Sequence, residues 1–589
     1  MTMGVAAELT ADETRIALVA AGAVEDVRAV AGRLGALTPL IKPTEPRGGL
    51  VMPATWPAVV QLASALGDGW RPGPRLREWA GREAARRSAP PAAALRAPVP
   101  DGLVPRPYQI AGARMIAATG RALILDEPGT GKTVTAILGL SELIAEGTRA
   151  LPVLVICPAG VVDPWVVAFR SWAPRLRAIA WRGGPARRRA LAGTADAYVA
   201  SYDTARVDAA GPDPARAPLV ALGARALVVD EHHMIKNPRA ARTAAVLRLA
   251  RGAEALITLS GTPITHHPGD LWPALRCLAP GAWPSRERWV NRYCVQGVAD
   301  YGEAILGLDP GMEPELRLAL RGQHRRVAKA DVLAQLPPKV YSLRTVELPP
   351  RWRKAYDDME ADMLAELPDG GELSVMSALA RLTRLSQLAS SAAEVAAADG
   401  RGADGSERQR VSVRLKAPSW KVDALLEVLA ERPGQAAVAF APSRQLILLA
   451  ADAARAAGLR VGLVIGGQSM AERAATVAAL QRGALDLVCA TTGAGGTGLT
   501  LTAASTVVFL QRPWSLVESI QAEDRCHRIG SERHASVEVI DIVAARTVDS
   551  RVRAALREKA GQLADLVRDP RIVAELLGGA AAREARKDE

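Results

Sequence analysis

The segment Asp126-Glu127-Pro128-Gly129-Thr130-Gly131-Lys132-Thr133 follows the apolar run Ala122–Leu125 and precedes the apolar-periodic residues Ala136, Ile137 and Leu138. Strand, glycine-rich turn and helix, in that order, is what a phosphate loop needs. Main-chain N–H groups at a helix N-terminus bind phosphate, a lysine reaches the β/γ oxygens, and a hydroxyl ligates Mg²⁺. Lys132 and Thr133 stand where those two side chains belong. The strict G-x-x-x-x-G-K-T spacing would need Gly at 126, where Asp stands.

A second constellation is Val228-Val229-Asp230-Glu231-His232-His233. Two acids at the end of an apolar strand suit a division of labour. Asp230 would hold Mg²⁺, and Glu231 would orient and polarise an attacking water. Zinc on His232 and His233 is disfavoured, because adjacent histidines seldom face one ion and no Cys or acid lies at i+4. Leu259-Ser260-Gly261-Thr262-Pro263 also follows an apolar strand and, read alone, is an ordinary turn. In the later half, the loop around Gly495, Gly496 and Gly498 would let a backbone approach phosphate closely. In the segment Gln521 to Gly530, helical spacing i, i+4, i+7 predicts Gln521, Arg525 and Arg528 on one helix face. Such a face is ordinarily solvated; here it could reach a bound γ-phosphate.

The elements that must position these residues follow a rhythm. Short apolar runs alternate with helical patterns at Ala122–Leu125, Val153–Ile156, Ala197–Ala200, Ala226–Val229 and Leu256–Leu259. The rhythm resumes at Ala436–Phe440, Val461–Ile465, Leu485–Cys489, Ser505–Leu510 and Val537–Ile542. This is the pattern of βαβ units around parallel sheets buried on both faces. The stretch from Leu271 to Leu426 reads as mostly helical, with a polar loop at Asp399 to Gln409. The expected fold class is therefore α/β, two parallel-sheet lobes with a helical insertion between them and a small N-terminal domain. The expected boundaries are 1–88 for the accessory domain, with a helix near Leu76 to Arg87, and 89–102 for a Pro-rich linker. The first lobe spans 103–280, the inter-lobe region 281–418, the second lobe 419–549, and terminal helices 550–589.

Composition bounds the class. The chain has 589 residues, of which 49% are hydrophobic and 23% charged, enough to build several cores and too apolar for a disordered chain. The 74 Lys and Arg exceed the 62 Asp and Glu, a net charge of +12 that suits a polyanionic partner, though the same excess arises from a plain enrichment in Arg. None of the 5 cysteines forms a C-x-x-C pair, against a zinc ribbon or a disulfide framework. No apolar run nears the roughly 20 residues that cross a bilayer, and no signal peptide is read at the N-terminus. A cytoplasmic, nucleoid-associated protein is expected.

Taken in order, the motifs resemble the Swi/Snf family of superfamily 2 DEAD/DEAH-box helicase-like ATPases, which are double-stranded DNA translocases. Pro105-Arg106-Pro107-Tyr108-Gln109 looks like the family's adenine-reading segment, and Asp126-Glu127 before the glycines is the family's form of the phosphate loop. Ile156-Cys157-Pro158 with Trp165 resembles motif Ia. Asp230-Glu231-x-His233 resembles the DEAH-type box, and Leu259 to Pro263 motif III. Leu336-Pro337-Pro338-Lys339 resembles the segment that opens the inter-lobe region. Gly495 to Leu499 resembles motif V, and Gln521 to Gly530 motif VI. The short insertions look most like compact bacterial and phage members, nearest the fork-remodelling, annealing branch. Pro128 stands where the family usually has Met, His266-His267 where an Asn is common, Trp514-Ser515 for Trp-Asn, and Ser531 for Gln.

The resemblance implies two RecA-like lobes of the P-loop NTPase fold, with ATP and Mg²⁺ as cofactors. Gln109, Glu127, Gly129, Thr130, Gly131, Lys132, Thr133 and Gly498 would bind nucleotide, and Thr133 with Asp230 would hold Mg²⁺. Lys132, Asp230, Glu231, Gln521, Arg525 and Arg528 would be catalytic, with Arg528 as arginine finger. Motif Ia around Pro158, Ser201-Tyr202 and motif V would touch the backbone of double-stranded DNA, without sequence specificity; branched or forked DNA is a further partner of this family. The implied function is DNA-dependent ATP hydrolysis coupled to translocation on, or remodelling of, duplex DNA and its protein complexes. The alternative is a strand-separating helicase or restriction-type motor subunit.

Overall fold

Each of the ten apolar runs overlaps a strand of the computed structural model, which describes residues 5–20, 42–44, 49–88, 94–210, 217–261, 268–283, 285–299, 302–333, 335–365, 375–401, 407–493 and 499–567. The chain divides into two units, Met1–Val332 and Leu333–Glu589.

The first unit opens with a five-stranded sheet of β1 (Val5–Leu9), β2 (Arg15–Ala20), β3 (Lys42–Thr44), β4 (Gly49–Pro53) and β5 (Trp70–Pro72), in the order β3-β4-β2-β1-β5. The helices Trp56–Leu66 and Pro74–Ser88 cover one face, burying Ile16, Leu18, Leu50 and Met52. The helix expected near Leu76 to Arg87 is the second of these; the sheet before it was not foreseen.

The main sheet of this unit is seven-stranded and parallel throughout. It comprises β6 (Arg121–Ile124), β7 (Val153–Cys157), β8 (Ala178–Ala180), β9 (Ala197–Ser201), β10 (Ala226–Asp230), β11 (Ala255–Leu259) and, after the hairpin of β12 (Cys294–Ala299) and β13 (Gly302–Leu308), β14 (His324–Arg325). The order is β14-β6-β11-β10-β7-β9-β8. Alternate residues feed two cores. Leu154, Ile156, Leu227 and Val229 enter one, while Val153, Val155, Ala226 and Val228 enter the other. Burial on both faces is why these strands read as unbroken apolar runs.

The second unit repeats the plan with a six-stranded parallel sheet. Its strands are β15 (Lys339–Val346), β18 (Ala437–Ala441), β19 (Val461–Val464), β20 (Leu487–Thr491), β21 (Thr506–Phe509) and β22 (Val537–Ala544), in the order β15-β22-β21-β18-β20-β19. Val438, Phe440, Val507 and Phe509 pack on one face and Ala437, Ala439, Leu487 and Val508 on the other. The helix Val548–Val567 follows β22.

The stretch read as helical is not helices alone. It contains the β12–β13 hairpin, a second hairpin of β16 (Ala392–Arg401) and β17 (Glu407–Lys416), and two strands of the main sheets, β14 and β15. The Asp399 to Gln409 segment is thus partly the end of that second hairpin. β15 escapes an apolar-run search because it is an edge strand whose residues alternate between half-buried and exposed.

Candidate functional site

In the order β6-β11-β10, neighbouring parallel strands end together, so the turns 125–131, 260–261 and 231–235 leave one edge of the sheet side by side. This is where open α/β sheets hold ligands.

The phosphate-loop segment keeps its expected geometry. Gly129 and Gly131 adopt φ of 87° and 84°. A Cβ at Gly131 would lie 2.6 Å from Gln109 Nε2, so both backbone angle and space demand glycine there. The helix Lys132–Ala145 starts immediately after, with its first main-chain N–H groups turned to the loop. Lys132 Nζ donates to the carbonyls of Asp126 (2.9 Å) and Glu127 (3.3 Å). Among the described residues it makes no ion pair, which leaves its charge to an incoming anion. The buried Thr130 hydroxyl donates to Glu127 O (2.8 Å), so Thr130 shapes the loop and offers a ligand only its backbone.

Gln109 is buried and already engaged. Its Oε1 accepts from Arg106 N (2.9 Å) and its Nε2 donates to Thr130 O (3.2 Å), beside Tyr108 Oη, which donates to the same carbonyl (2.9 Å). One N–H and one lone pair of the amide remain for a base edge. Glu127 departs from its expected place. Its Oε2 accepts from Lys329 N (2.9 Å) and its Oε1 lies 3.6 Å from Arg326 Nη2, so the carboxylate faces the 326–329 segment.

The acid pair closes β10. Trp165 Nε1 donates to Asp230 Oδ2 (2.8 Å), and Tyr202 Oη donates to Asp230 O (2.7 Å). Glu231 takes the left-handed conformation at φ 53°, rare for a non-glycine residue. Its Oε2 accepts from Ser260 Oγ (3.4 Å) and lies 3.3 Å from His233 Nδ1. Burial, with the Glu231 charge beside it, pushes the Asp230 carboxyl up to about 6. Burial works the same way on Glu231, but His233 and Lys132 outweigh it and hold that carboxyl low. His232 is buried, neither ring nitrogen has a partner among the described residues, and burial pushes its pKa down to about 3.

Two expectations are corrected here. Tyr202 is buried under β10, so it braces the acid pair and cannot touch a DNA backbone. The Ser201 side chain caps the helix Tyr202–Asp208. Trp165 likewise turns inward from its motif Ia position. Gly261 abuts the loop: a Cβ there would lie 2.5 Å from Pro128 Cγ. Thr262 and Pro263 lie outside the described residues, as does Gly498 with the loop 494–498.

In the second unit, Gln521, Arg525 and Arg528 do not share a helix face. The helix is Leu516–Glu523, so only Gln521 is on it. The ladder stops because Arg525 O accepts from Leu501 N (2.9 Å), a partner outside the helix. Arg525 is buried, donates from Nη2 to Thr492 O (3.3 Å), and packs its guanidinium 5.4 Å from the Phe440 ring centre. Its Nη1 is buried without a partner among the described residues. Arg528 lies in the turn that follows and is half-buried.

The oxygen donors expected to hold a divalent cation are Thr133, in the first turn of the helix after the loop, and Asp230, at the end of β10, two strands away from β6. Two protein oxygens, completed by water and phosphate oxygens, is the usual holding of Mg²⁺. No cluster of three His, Cys, Asp or Glu suited to a metal occurs among the described residues. All five cysteines are buried and unpaired. No described helix is long and apolar enough to cross a membrane.

The chain is similar to several known proteins. Mouse "DNA annealing helicase and endonuclease ZRANB3" is 27% identical over 453 residues, covering 75% of this chain and 38% of that protein. Xenopus tropicalis "SWI/SNF-related matrix-associated actin-dependent regulator of chromatin subfamily A-like protein 1" is 26% identical over 462 residues, covering 77% and 44%. Arabidopsis "ISWI chromatin-remodeling complex ATPase CHR17" is 25% identical over 447 residues, covering 73% and 40%. The chain thus spans less than half the length of these relatives. A solved structure titled "Sulfolobus solfataricus SWI2/SNF2 ATPase core in complex with dsDNA" overlaps with a TM-score of 0.36 at 21% identity, covering 79% of this chain and 93% of that one. The model of the SNF2-related domain matches residues 108–393, and that of the helicase conserved C-terminal domain matches residues 420–530. With those two domains in that order, the chain belongs to the SNF2, or Swi/Snf, family.

Proposed function

We propose that the chain is a DNA-dependent ATPase that couples ATP hydrolysis to translocation on, or remodelling of, double-stranded DNA and its protein complexes. The observation that carries this reading is the common edge of β6, β11 and β10. There an unpaired Lys132 loop, Ser260 and the acid pair Asp230-Glu231 leave neighbouring strand ends.

Lys132 and the first amides of its helix bind the phosphates, and Gly131 lets the backbone approach them. The free N–H and lone pair of Gln109 read adenine. Thr133 and Asp230 would hold Mg²⁺, which would supply positive charge against that of the phosphates. Trp165 fixes the Asp230 carboxylate for that task. Glu231, held ionised and oriented by His233 and Ser260, positions the attacking water and accepts its proton. From the second unit, Gln521 and the guanidinium groups of Arg525 and Arg528 stabilise charge on the transferred phosphoryl group. DNA is gripped through its backbone, which fixes position without reading sequence.

The test is ATP turnover against blunt duplex, single strand, fork and RNA at several salt concentrations. Duplex should stimulate more than RNA, and stimulation should fall steeply with salt, because each neutralised phosphate releases a counterion. Equal stimulation by RNA, or none by duplex at low salt, contradicts the proposal. A fork strand released only with ATP would mark strand separation.

A further inference from the structure

The two main sheets are joined by a connector whose ends are tied down at unusual places. At its first end, β14 pairs with β6, the strand that feeds the phosphate loop. Arg325 donates from Nε to Asp126 Oδ1 (3.1 Å) and from Nη2 to Asp126 Oδ2 (3.0 Å), a two-pronged pair with a fully buried carboxylate. Its Nη1 donates to Tyr108 O (2.6 Å). Glu127 N donates to Val327 O (3.0 Å), and Lys329 N donates to Glu127 Oε2 (2.9 Å). Both acids of the loop are therefore held by residues 325–329, about two hundred positions downstream.

At its second end, the connector holds the turn that carries Arg525 and Arg528. His527 Nε2 bonds Pro337 O (2.8 Å). Lys339 Nζ lies 3.3 Å from Glu523 Oε2 and 3.1 Å from Asp524 Oδ1, and Tyr341 Oη donates to Glu523 Oε2 (2.9 Å). Glu523 and Asp524 are buried and immediately precede Arg525. Val537 N donates to Pro338 O (3.0 Å), tying the start of β15 to the start of β22. Only residues 330–336 separate the two anchors.

We propose that the connector 323–341 is a positioning element, with Arg325 setting the phosphate loop and Lys339 setting the arginine turn. Neither touches substrate in this proposal; each acts through the residues it holds. The effect on turnover rests on the function proposed above, whereas the effect on local order does not. A buried two-pronged pair is specific to the guanidinium fork, so Lys cannot replace Arg325. Loss of the fork frees Asp126 and slackens the loop around Lys132. Loss of the Lys339 ammonium leaves Glu523 and Asp524 less neutralised and slackens the turn around Arg528.

The experiment compares full-length wild type, Arg325→Lys and Lys339→Gln. Hydrogen exchange without nucleotide is read in two windows, 126–133 and 525–531, and melting temperature is read in parallel. Arg325→Lys should speed exchange about tenfold in the first window and leave the second unchanged. Lys339→Gln should do the reverse. Exchange that rises evenly throughout, or in neither window, overturns the proposal whether or not the protein hydrolyses ATP. Where wild type hydrolyses ATP, Arg325→Lys should raise KM for ATP about tenfold with kcat within threefold. Lys339→Gln should lower kcat about tenfold with KM within threefold. Equal changes in both constants for both variants overturn it. A wild type without turnover, but with window-specific exchange, overturns the proposed function and upholds the connector.

Discussion

The phosphate loop and the arginine turn are built by opposite means. Residues 126–133 lie between a buried strand and a helix. Arg325 and Lys329 brace the two leading acids, but the glycine turn 128–133 is shaped within the segment by two left-handed glycines and by Lys132 and Thr130 bonding to nearby carbonyls. Residues 524–530 leave their helix early and take their shape from distant partners: Leu501, Thr492, Pro337 and Lys339. A segment folded by its own residues can be read from spacing alone. A segment folded by its surroundings cannot, and helical periodicity gave the wrong neighbours for Arg525 and Arg528.

Substitutions in the two segments should therefore fail differently. The largest effect is expected for Lys132→Ala, which removes the one cation of the loop. ATP binding should weaken and turnover fall by on the order of 10³-fold or more, read by equilibrium nucleotide binding and steady-state ATPase. Next is Arg528. As an arginine finger it should lose on the order of 10³-fold in Arg528→Ala and much of that in Arg528→Lys, since an ammonium cannot bridge two phosphate oxygens. Duplex affinity without nucleotide should stay within about threefold. If affinity collapses while turnover is normal, Arg528 is a DNA contact, and the two segments do not serve one reaction.

A smaller effect tests the support behind the acid pair. Trp165→Phe removes the indole donor to Asp230 (2.8 Å) and keeps an aromatic ring at this buried position. A hydrogen bond to a charged group contributes roughly 1.5–3 kcal/mol, so the Mg²⁺ concentration for half-maximal turnover should rise about tenfold or more. An unchanged Mg²⁺ requirement would show that Asp230 is not the metal ligand. The smallest effect contrasts two buried histidines, His232 beside the acid pair and His527 in the arginine turn. His527 is bonded to Pro337 O, while His232 has no partner among the described residues. The His232 pKa is lowered from 6.5 to about 3, so the unfolded chain binds a proton that the folded one refuses. Its contribution is fully present above about pH 6.5 and is lost as pH falls towards 3. Between pH 7 and 5.5, wild type should lose on the order of 1 kcal/mol more than His232→Leu in urea unfolding. Equal losses would place a partner on His232.

Much of the architecture was legible in the sequence because the central strands are buried on both faces, as the unbroken runs Val153–Ile156 and Ala226–Val229 advertise. β14 was not, since it is two polar residues, His324 and Arg325, paired at the sheet edge. β15 alternates along an edge and hides in the same way. Lys132, Asp230 and Glu231 could be placed from strand-end position alone. The turning of Glu127 towards Lys329, the bracing of Asp230 by Tyr202 and the hold of Arg325 on Asp126 arise from contacts between remote parts of the chain. The only trace in the sequence is complementary: two adjacent acids at 126–127 and two adjacent arginines at 325–326.

The most direct measurement compares wild type with Glu231→Gln for ATP binding and for hydrolysis with saturating duplex DNA. Glutamine keeps the shape of the side chain but removes the base held by His233 and Ser260. The expected result is ATP affinity within about threefold of wild type, with hydrolysis reduced by on the order of 10²-fold or more. Hydrolysis near the wild-type rate in Glu231→Gln would contradict the assignment of the acid pair, and with it the site at the edge of β6, β11 and β10.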